Sequence, residues 1–190
     1  MSKLRRAISA AVRNEPAVRR AYFDCRYGQL HMHYAIPAGG GFDEAATLLC
    51  LPDAPGSGRF FRPLLAPLGR DRSVYAPDLP GCGESDPVPG SAGPSEHAVA
   101  MLDFVDSMRF RSIDLLANGS GVDIALDLIK QRPALIGRIV LSPATETVRN
   151  QARTLRQPVL VIDLTSDSGS TGTREIEQQA LELRQFLGLP

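Results

Sequence analysis

Short apolar runs alternate along this chain with longer segments in which apolar residues recur every three or four positions. The runs at 46–51 and 158–164 predict strands, and the first has the continuous apolar character of a strand buried on both faces. The spacing at 95–108 and 174–187 predicts amphipathic helices. Strands that alternate with helices through short connections predict an α/β fold, with a mainly parallel sheet of about seven strands and helices on both faces.

The chain is predicted to open with a hairpin, because strand-like runs at 22–26 and 29–36 flank a short turn. In the second run, His31 and His33 alternate with apolar residues, which predicts a half-exposed edge strand. The third histidine, His97, falls on a predicted helix. We expect all three histidines to be surface or half-buried structural residues.

Boundary signals refine several of these elements. Pro63 marks the first turn of a predicted helix at 60–68, and a short strand is predicted at 73–76. Ser95 is the predicted N-cap of the helix at 95–108. That helix is expected to turn four apolar residues inward: Val99, Leu102, Val105 and Met108.

Length and composition are typical of a single globular domain over residues 1–190, with residues 1–20 as a short amphipathic helix or arm. The chain has 21 Lys and Arg against 21 Asp and Glu, so no net field favours nucleic acid or a membrane surface as a partner. No apolar run has the length of a membrane span, and the start of the chain does not read as a secretory signal.

The three cysteines, Cys25, Cys50 and Cys82, are widely spaced and odd in number, which favours a reducing cytoplasm over a disulfide framework. Cys25 and Cys50 are expected to be small core residues, whereas Cys82 lies in a glycine turn and is the one expected to be reactive. Because no metal, nucleotide or flavin motif is present, we predict no cofactor and no metal site.

Four segments with characteristic turns follow one another in order. They are a strand and loop at 48–58 (LLCLPDAPGSG), a strand and glycine turn at 75–86 (YAPDLPGCGESD), a strand, tight turn and helix start at 112–122 (SIDLLANGSGV) and a strand at 138–144 (RIVLSPA). From about residue 22 to 144 the chain resembles the α/β-hydrolase superfamily, in the branch of small esterases, haloperoxidases and epoxide hydrolases. The resemblance implies an oxyanion loop after the first of these strands and a nucleophile elbow at the third.

Glycine occupies the place of the nucleophile. The family presents its nucleophile as G-x-S-x-G, with small residues two places before and after the tip of the turn. Centring the turn on Gly119 puts Ala117 and Gly121 at those places. Centring it on Ser120 puts bulkier side chains there, so we predict Gly119 as the tip. Ser120 is then the alternative nucleophile, or otherwise a hydroxyl that bonds a free backbone N–H group.

The oxyanion loop and the acid–base pair also depart from the family pattern. Asp53 stands beside a hole whose donors would be the N–H groups of Ala54 and Ser120, and its negative charge would oppose a developing oxyanion. The acids Asp163 and Asp167 are placed where the family often has its acidic member, but no histidine follows them to complete a triad.

These departures predict a catalytically degenerate relative of the family that binds a small-molecule ligand or a protein partner. The alternative is a small-ester hydrolase with a rearranged site, in which Ser120 or Cys82 is the nucleophile and a histidine comes from elsewhere. Ser57 and Ser85 are less favoured, because the resemblance makes them structural loop residues. Of these roles, we favour the one without enzymatic activity.

A third hypothesis is an assembly subunit. Residues 145–157 are too few to form the helical cap that the family usually carries, and the family's last strand is also expected to be missing. The strand at 158–164 would then be an exposed apolar sheet edge, which favours a homodimer through that edge.

Overall fold

The computed structural model describes residues 16–39, 46–164 and 172–188. Within these ranges the chain forms seven strands: β1 (Arg19–Cys25), β2 (Gly28–Ala35), β3 (Thr47–Leu51), β4 (Val74–Pro77), β5 (Ile113–Asn118), β6 (Ile136–Ser142) and β7 (Val159–Val161). It also forms five α-helices there: α1 (Arg62–Leu68), α2 (Pro94–Ser107), α3 (Gly121–Gln131), α4 (Glu146–Ala152) and α5 (Gly172–Phe186). Short 3-10 turns at Gly58–Phe61 and Pro133–Leu135 precede α1 and β6. Most of the predicted arm at 1–20, and Asp167, lie outside the described residues.

The described strands belong to one sheet in the order β1-β2-β4-β3-β5-β6-β7. Strand β2 pairs antiparallel with both β1 and β4, and the remaining neighbours pair parallel. The prediction of a mainly parallel sheet of about seven strands is therefore confirmed. The carboxyl ends of β3, β4 and β5 meet at one edge of this sheet, where ligands of open α/β folds bind.

The two faces of the sheet carry separate cores, because neighbouring residues of a strand point to opposite faces. On β3, Leu49 and Leu51 belong to the core that also includes residues of α2, α3 and α4. Leu48 and Cys50 belong to the core that includes residues of α1 and α5. All of β3 is buried, which is why its sequence is continuously apolar. Helices therefore cover both faces, as predicted.

The prediction that β2 is a half-exposed edge strand was wrong. Strand β2 lies between β1 and β4, and both of its edges are paired. His31 and His33 are buried as a result, and His97 on α2 is buried as well. The alternating histidines of β2 therefore do not mark a solvated face. They lie beneath the loops that follow β3 and β4, and His31 hydrogen-bonds Asp78 there.

Helix α2 begins differently from the prediction. Gly93 is the N-cap, and its N–H group donates to the Glu96 carboxylate at 2.9 Å. Ser95 is not the cap, because Pro94 already occupies the first helical position and the Ser95 hydroxyl donates to Asp127 at 2.6 Å. The inward face is also rotated from the predicted one.

Phe104 decides that rotation of α2. Its ring packs against Phe23, Tyr75 and Phe110, with centroids 5.0 to 5.8 Å apart. Burying this aromatic side chain removes more apolar area from water than burying the predicted aliphatic residues would. Of the four residues predicted to face inward, Val105 alone is fully buried, and the other three are partly exposed: Val99, Leu102 and Met108.

Strand β6 is joined to β7 by the single short helix α4, in agreement with the prediction that no cap domain lies between them. Strand β7 is an edge of the sheet, but it has only three residues, so the predicted strand at 158–164 was too long. Within the described ranges, no helix is both long enough and apolar enough to cross a bilayer.

A buried ion pair joins the opposite end of the sheet to the carboxyl end of α5. Arg72 Nη1 lies 2.5 Å from Asp114 Oδ2, and each side chain is only 2% exposed. The other oxygen of Asp114 accepts the N–H group of Arg138 at 2.6 Å, and Arg72 also donates to the carbonyl of Leu187 at 2.9 Å. Both charges are therefore compensated within the core, as buried charges require.

Replacing one partner of this pair should be strongly destabilising. We expect Asp114→Asn to lower the free energy of unfolding by about 3 kcal/mol, because it leaves the Arg72 guanidinium buried without a counter-charge. The matched control is Asp106→Asn, which removes the carboxylate of the exposed pair between Asp106 and Arg132 and should cost less than about 1 kcal/mol. Urea unfolding followed by circular dichroism measures both, and equal losses would contradict the assignment.

Candidate functional site

The tight turn between β5 and α3 forms the centre of the candidate site. Gly119 has a φ of +58°, in the left-handed region that glycine adopts without strain. A Cβ added to Gly121 would lie 2.4 Å from the carbonyl oxygen of Leu51, so the turn packs directly on the end of β3. Gly119 thus has the positive φ of a tight turn, and the close approach of Leu51 shows why position 121 must be small.

The carboxylate of Asp53 occupies the space where a side chain at the tip would lie. A Cβ built on Gly119 would be 2.4 Å from Asp53 Cγ and 2.5 Å from Asp53 Oδ1. These distances are far below van der Waals contact. Any side chain at position 119 therefore requires Asp53 to move.

Asp53 and Ser120 also use both of the backbone donors that the resemblance assigns to an oxyanion hole. The N–H group of Ser120 donates to Asp53 Oδ1 at 2.8 Å. The N–H group of Ala54 donates to Ser120 Oγ at 2.7 Å. The loop after β3 and the elbow are thus closed on each other by two reciprocal hydrogen bonds, and Ser120 bonds a free backbone N–H in the manner expected of a structural hydroxyl.

None of the three histidines hydrogen-bonds Ser120 among the described residues. His31 donates from Nδ1 to Asp78 Oδ2 at 3.0 Å, and Nε2 of His97 lies 3.2 Å from the carbonyl oxygen of Pro80. His33 is 7% exposed, and its Nδ1 has no partner in the described part of the chain. The expectation that these histidines are surface or half-buried was wrong, because each lies under a loop that the sequence does not place.

The acid at the end of the sheet has a structural contact. Asp163 Oδ1 accepts the N–H group of Ala144 at 2.8 Å, which ties the residues after β7 to those after β6. The next N–H group, that of Leu164, donates to the hydroxyl of Ser142 at 3.1 Å. No imidazole of the described residues hydrogen-bonds Asp163, so its geometry is that of a loop carboxylate.

Asp78 organises the loops beside the elbow. It is 1% exposed, and its oxygens accept the hydroxyl of Ser57 and the N–H groups of Gly58 and Glu84, both at 2.9 Å, in addition to His31. Burial by itself would raise the pKa of Asp78, but these hydrogen bonds outweigh it and hold the pKa below the ordinary aspartate value. The carboxylate is therefore ionised and fully committed to structure.

The serines of these loops take part in the same structure. Ser57 bonds Asp78, and the hydroxyl of Ser85 donates to the carbonyl oxygen of Asp78 at 2.7 Å while accepting the N–H group of His31 at 2.9 Å. Gly83, with a φ of +54°, leaves room for the Asp78 carboxylate, which a Cβ there would meet at 2.1 Å.

Cys82 is buried, contrary to the expectation that it is the reactive cysteine. It is 9% exposed and belongs to the apolar core. Burial, and then the negative charge of Asp78, raise the pKa of the Cys82 thiol, whereas a reactive cysteine needs a lowered pKa. The glycine turn folds the thiol inward, which the sequence pattern did not reveal. No three His, Cys, Asp or Glu side chains of the described residues are grouped closely enough to hold a metal ion.

Two features of the site were missed from the sequence. One is the contact between Asp53 and the elbow. The sequence did hold a signal for it, because two departures from the family pattern occur together: a carboxylate in the oxyanion loop and a glycine at position 119. The other is a cavity of about 570 Å³ beside β2, lined by both His31 and His33. None of the residues around the elbow tip lines it.

Comparisons with known proteins agree with the fold. The sequence model of the alpha/beta hydrolase family matches residues 48–188. RutD of Rhizobium rhizogenes, whose name proposes carbamate hydrolase activity, is 28% identical over 113 residues, which are 58% of this chain and 42% of that protein.

Solved structures show the same fold. Epoxide hydrolase VrEH1 from Vigna radiata has a TM-score of 0.57 at 21% identity, over 73% of this chain and 46% of that one. An alpha/beta hydrolase from Novosphingobium aromaticivorans has a TM-score of 0.60 at 20% identity, over 72% of this chain and 49% of that one. The chain thus spans less than half the length of these relatives, and likeness at such identities shows the fold alone.

The contact between Gly119 and Asp53 predicts a specific coupling. We expect Gly119→Ala to destabilise the fold more than the matched control Gly81→Ala. Both positions have positive φ, but a Cβ at Gly81 meets nothing within 4 Å. The control should cost about 1 kcal/mol from backbone strain. Gly119→Ala should cost on the order of 1–3 kcal/mol more, from overpacking against Asp53.

A double-mutant cycle with Asp53→Ala checks the cause. In the Asp53→Ala background, Gly119→Ala should cost less than it does in the wild type, because the carboxylate is gone and only the Cβ of residue 53, 2.7 Å from a Cβ built on Gly119, remains of that side chain. Chemical denaturation of the four proteins of the cycle measures the coupling. Strictly additive effects of the two substitutions would show that the Asp53 carboxylate does not fill the elbow.

Proposed function

The chain belongs to the α/β-hydrolase family, and from that premise we propose that it is a catalytically degenerate member that acts in ligand or partner binding. The observation that carries the proposal is the Asp53 carboxylate, which lies where the nucleophile's side chain would be and accepts the Ser120 N–H group at 2.8 Å. Hydrolysis by the family's mechanism requires a nucleophile in the first place and an N–H group free for the substrate oxygen in the second.

Electrostatics support the proposal. An oxyanion hole accelerates acyl transfer because its N–H donors are preorganised toward a negative charge that develops in the transition state. Here the Ser120 donor is already bonded to a negative charge, and the Ala54 donor is bonded to the Ser120 hydroxyl. A second anion at this point would be repelled by Asp53, so the site favours a ligand that is not anionic there.

The same carboxylate suggests what the crevice would accept. Asp53 is exposed, and its Oδ2 has no hydrogen-bond partner among the described residues. A ligand that presents an N–H or O–H donor at the carboxyl ends of β3 and β5 would complete this group. The absence of a cap between β6 and β7 leaves that end of the sheet open to a ligand or to a protein surface.

The alternative is a small-ester hydrolase with Ser120 as nucleophile. This mechanism needs a general base beside the Ser120 hydroxyl. That hydroxyl accepts the Ala54 N–H group, and no imidazole of the described residues hydrogen-bonds it. Cys82 is a weaker nucleophile than expected, since its pKa is raised by burial. For either role we propose a cytoplasmic location, because the thiols of Cys25, Cys50 and Cys82 are all free, as is usual in a reducing compartment.

Ester hydrolysis tests the proposal. We expect the purified protein to hydrolyse short p-nitrophenyl esters no faster than buffer does. Ser120→Ala should be indistinguishable from the wild type, and Ser95→Ala serves as the matched serine control. Activity that disappears in Ser120→Ala and persists in Ser95→Ala would establish the rearranged hydrolase instead. Gly119→Ser with Asp53→Ala should also be inactive, because neither substitution supplies a base.

A second candidate role is self-association, for which the position of β7 is the specific observation. Strand β7 ends the sheet, and its three residues are only half-buried. Ile162 donates its N–H group to Leu141 of β6 at 3.0 Å, so the N–H group of Val161 points to the open side. A cavity of about 490 Å³, lined in part by Val161, Ile162 and Gln179, lies beside this edge and leaves room for an added strand.

Edge pairing predicts a concentration-dependent dimer. Val161→Pro removes an outward N–H donor and keeps the donors that face β6, so it should weaken the dimer without dissolving the sheet. Sedimentation velocity over a range of concentrations measures the association, and circular dichroism checks the fold of the variant. A wild-type protein that stays monomeric at high concentration would rule out this role.

A further inference from the structure

The cavity of about 570 Å³ lies beside β2, on the face of the sheet that α1 covers, and not at the elbow. His31 and His33 line it from β2, and Arg20, Arg59 and Arg62 line it from β1, from the 3-10 turn and from the start of α1. We call it the arginine–histidine cavity. Arg20 is directly opposite His33 in the pairing of β1 with β2, so the two side chains share one face of the sheet.

The three arginines are not neutralised by the described part of the chain. Arg20, Arg59 and Arg62 are exposed, and none forms an ion pair or a side-chain hydrogen bond with a described residue. Three arginines from separate elements thus line one concave surface. Guanidinium groups prefer anions with several oxygens, which they bind through paired N–H donors.

The two acids of the cavity cancel only part of this charge, since two carboxylates face three guanidinium groups. Asp78 is ionised and is held by four donors of the chain itself. Glu84 accepts the Tyr22 hydroxyl at 3.1 Å, and its Oε2 lies 3.9 Å from His31 Nε2. The cavity therefore keeps an excess of positive charge, although the chain as a whole has none.

His33 supplies an independent sign of a missing ligand. It is 7% exposed, it lines the cavity, and its Nδ1 has no hydrogen-bond partner among the described residues. Burial, and then the neighbouring His31, lower the pKa of His33, so the ring is neutral at physiological pH and offers one donor. A buried polar group without a partner is costly, and a turn of the imidazole that brings Nδ1 to the cavity wall would let a ligand oxygen satisfy it.

We propose that the arginine–histidine cavity binds the phosphate group of a small phosphate monoester. A phosphate dianion has enough oxygens for three guanidinium groups and an imidazole at once, whereas a monocarboxylate has two. The cavity is also larger than phosphate needs, which leaves space for the organic part of a small ester. The inference is independent of the proposed function, because none of the elbow residues takes part.

Calorimetric titration with inorganic phosphate tests the site, with phenyl phosphate and acetate as comparison ligands. We expect saturable binding of phosphate, tighter binding of phenyl phosphate and markedly weaker binding of acetate. Arg59→Gln and Arg62→Gln should each raise the dissociation constant on the order of tenfold, the effect of one charge-assisted hydrogen bond. The matched control is Arg19→Gln, which removes the same charge from the other face of β1 and should change little.

Imidazole ¹⁵N spectra provide a second readout that does not depend on the variants. Phosphate should shift the ring signals of His33 and leave those of His97 unchanged, because the Nε2 of His97 is already hydrogen-bonded to Pro80. Absence of saturable phosphate binding, preference for acetate, or equal losses in Arg19→Gln and Arg59→Gln would each overturn the proposal. Ser120→Ala and Asp53→Ala should bind phosphate like the wild type, which separates failure here from failure of the proposed function.

Discussion

The buried carboxylate of Asp78 is the group on which the loops at the functional end of the sheet depend. Donors from three parts of the chain converge on it: the Ser57 hydroxyl and Gly58 N–H group after β3, the Glu84 N–H group after β4, and His31 on β2. Because so many hydrogen bonds stabilise the ionised form, burial of the charge is tolerated. Asp78 thus holds the end of the loop that carries Asp53, and it also lines the arginine–histidine cavity.

The elbow shows two departures that are physically coupled. Glycine at position 119 leaves a gap beside the turn, and the Asp53 carboxylate fills it and bonds the Ser120 N–H group at 2.8 Å. The two departures fit each other, because a side chain at position 119 would clash with Asp53, and the gap that glycine leaves admits the carboxylate. The pair accounts for a hydrolase-like fold whose elbow is stable with glycine at position 119.

The two proposed sites differ in charge and therefore in the ligands that they favour. The elbow presents an exposed carboxylate that selects hydrogen-bond donors, whereas the arginine–histidine cavity presents three guanidinium groups that select oxyanions. The elbow lies at the carboxyl ends of β3 and β5, and the cavity lies beside β2.

Much of the fold could be predicted from the sequence, because strand and helix periods and the order of the four motifs are local properties of the chain. The apolar run of β3, the strand–turn–helix at Gly119 and the short link between β6 and β7 were all visible in this way. The burial of His31, His33 and Cys82 was not, because it depends on which strands pair and which loops fold over them. Only the tertiary structure brings Asp53 to Gly119, 66 positions apart, and three arginines to one cavity. Contacts between distant residues are set by packing, and no local pattern of the sequence encodes them.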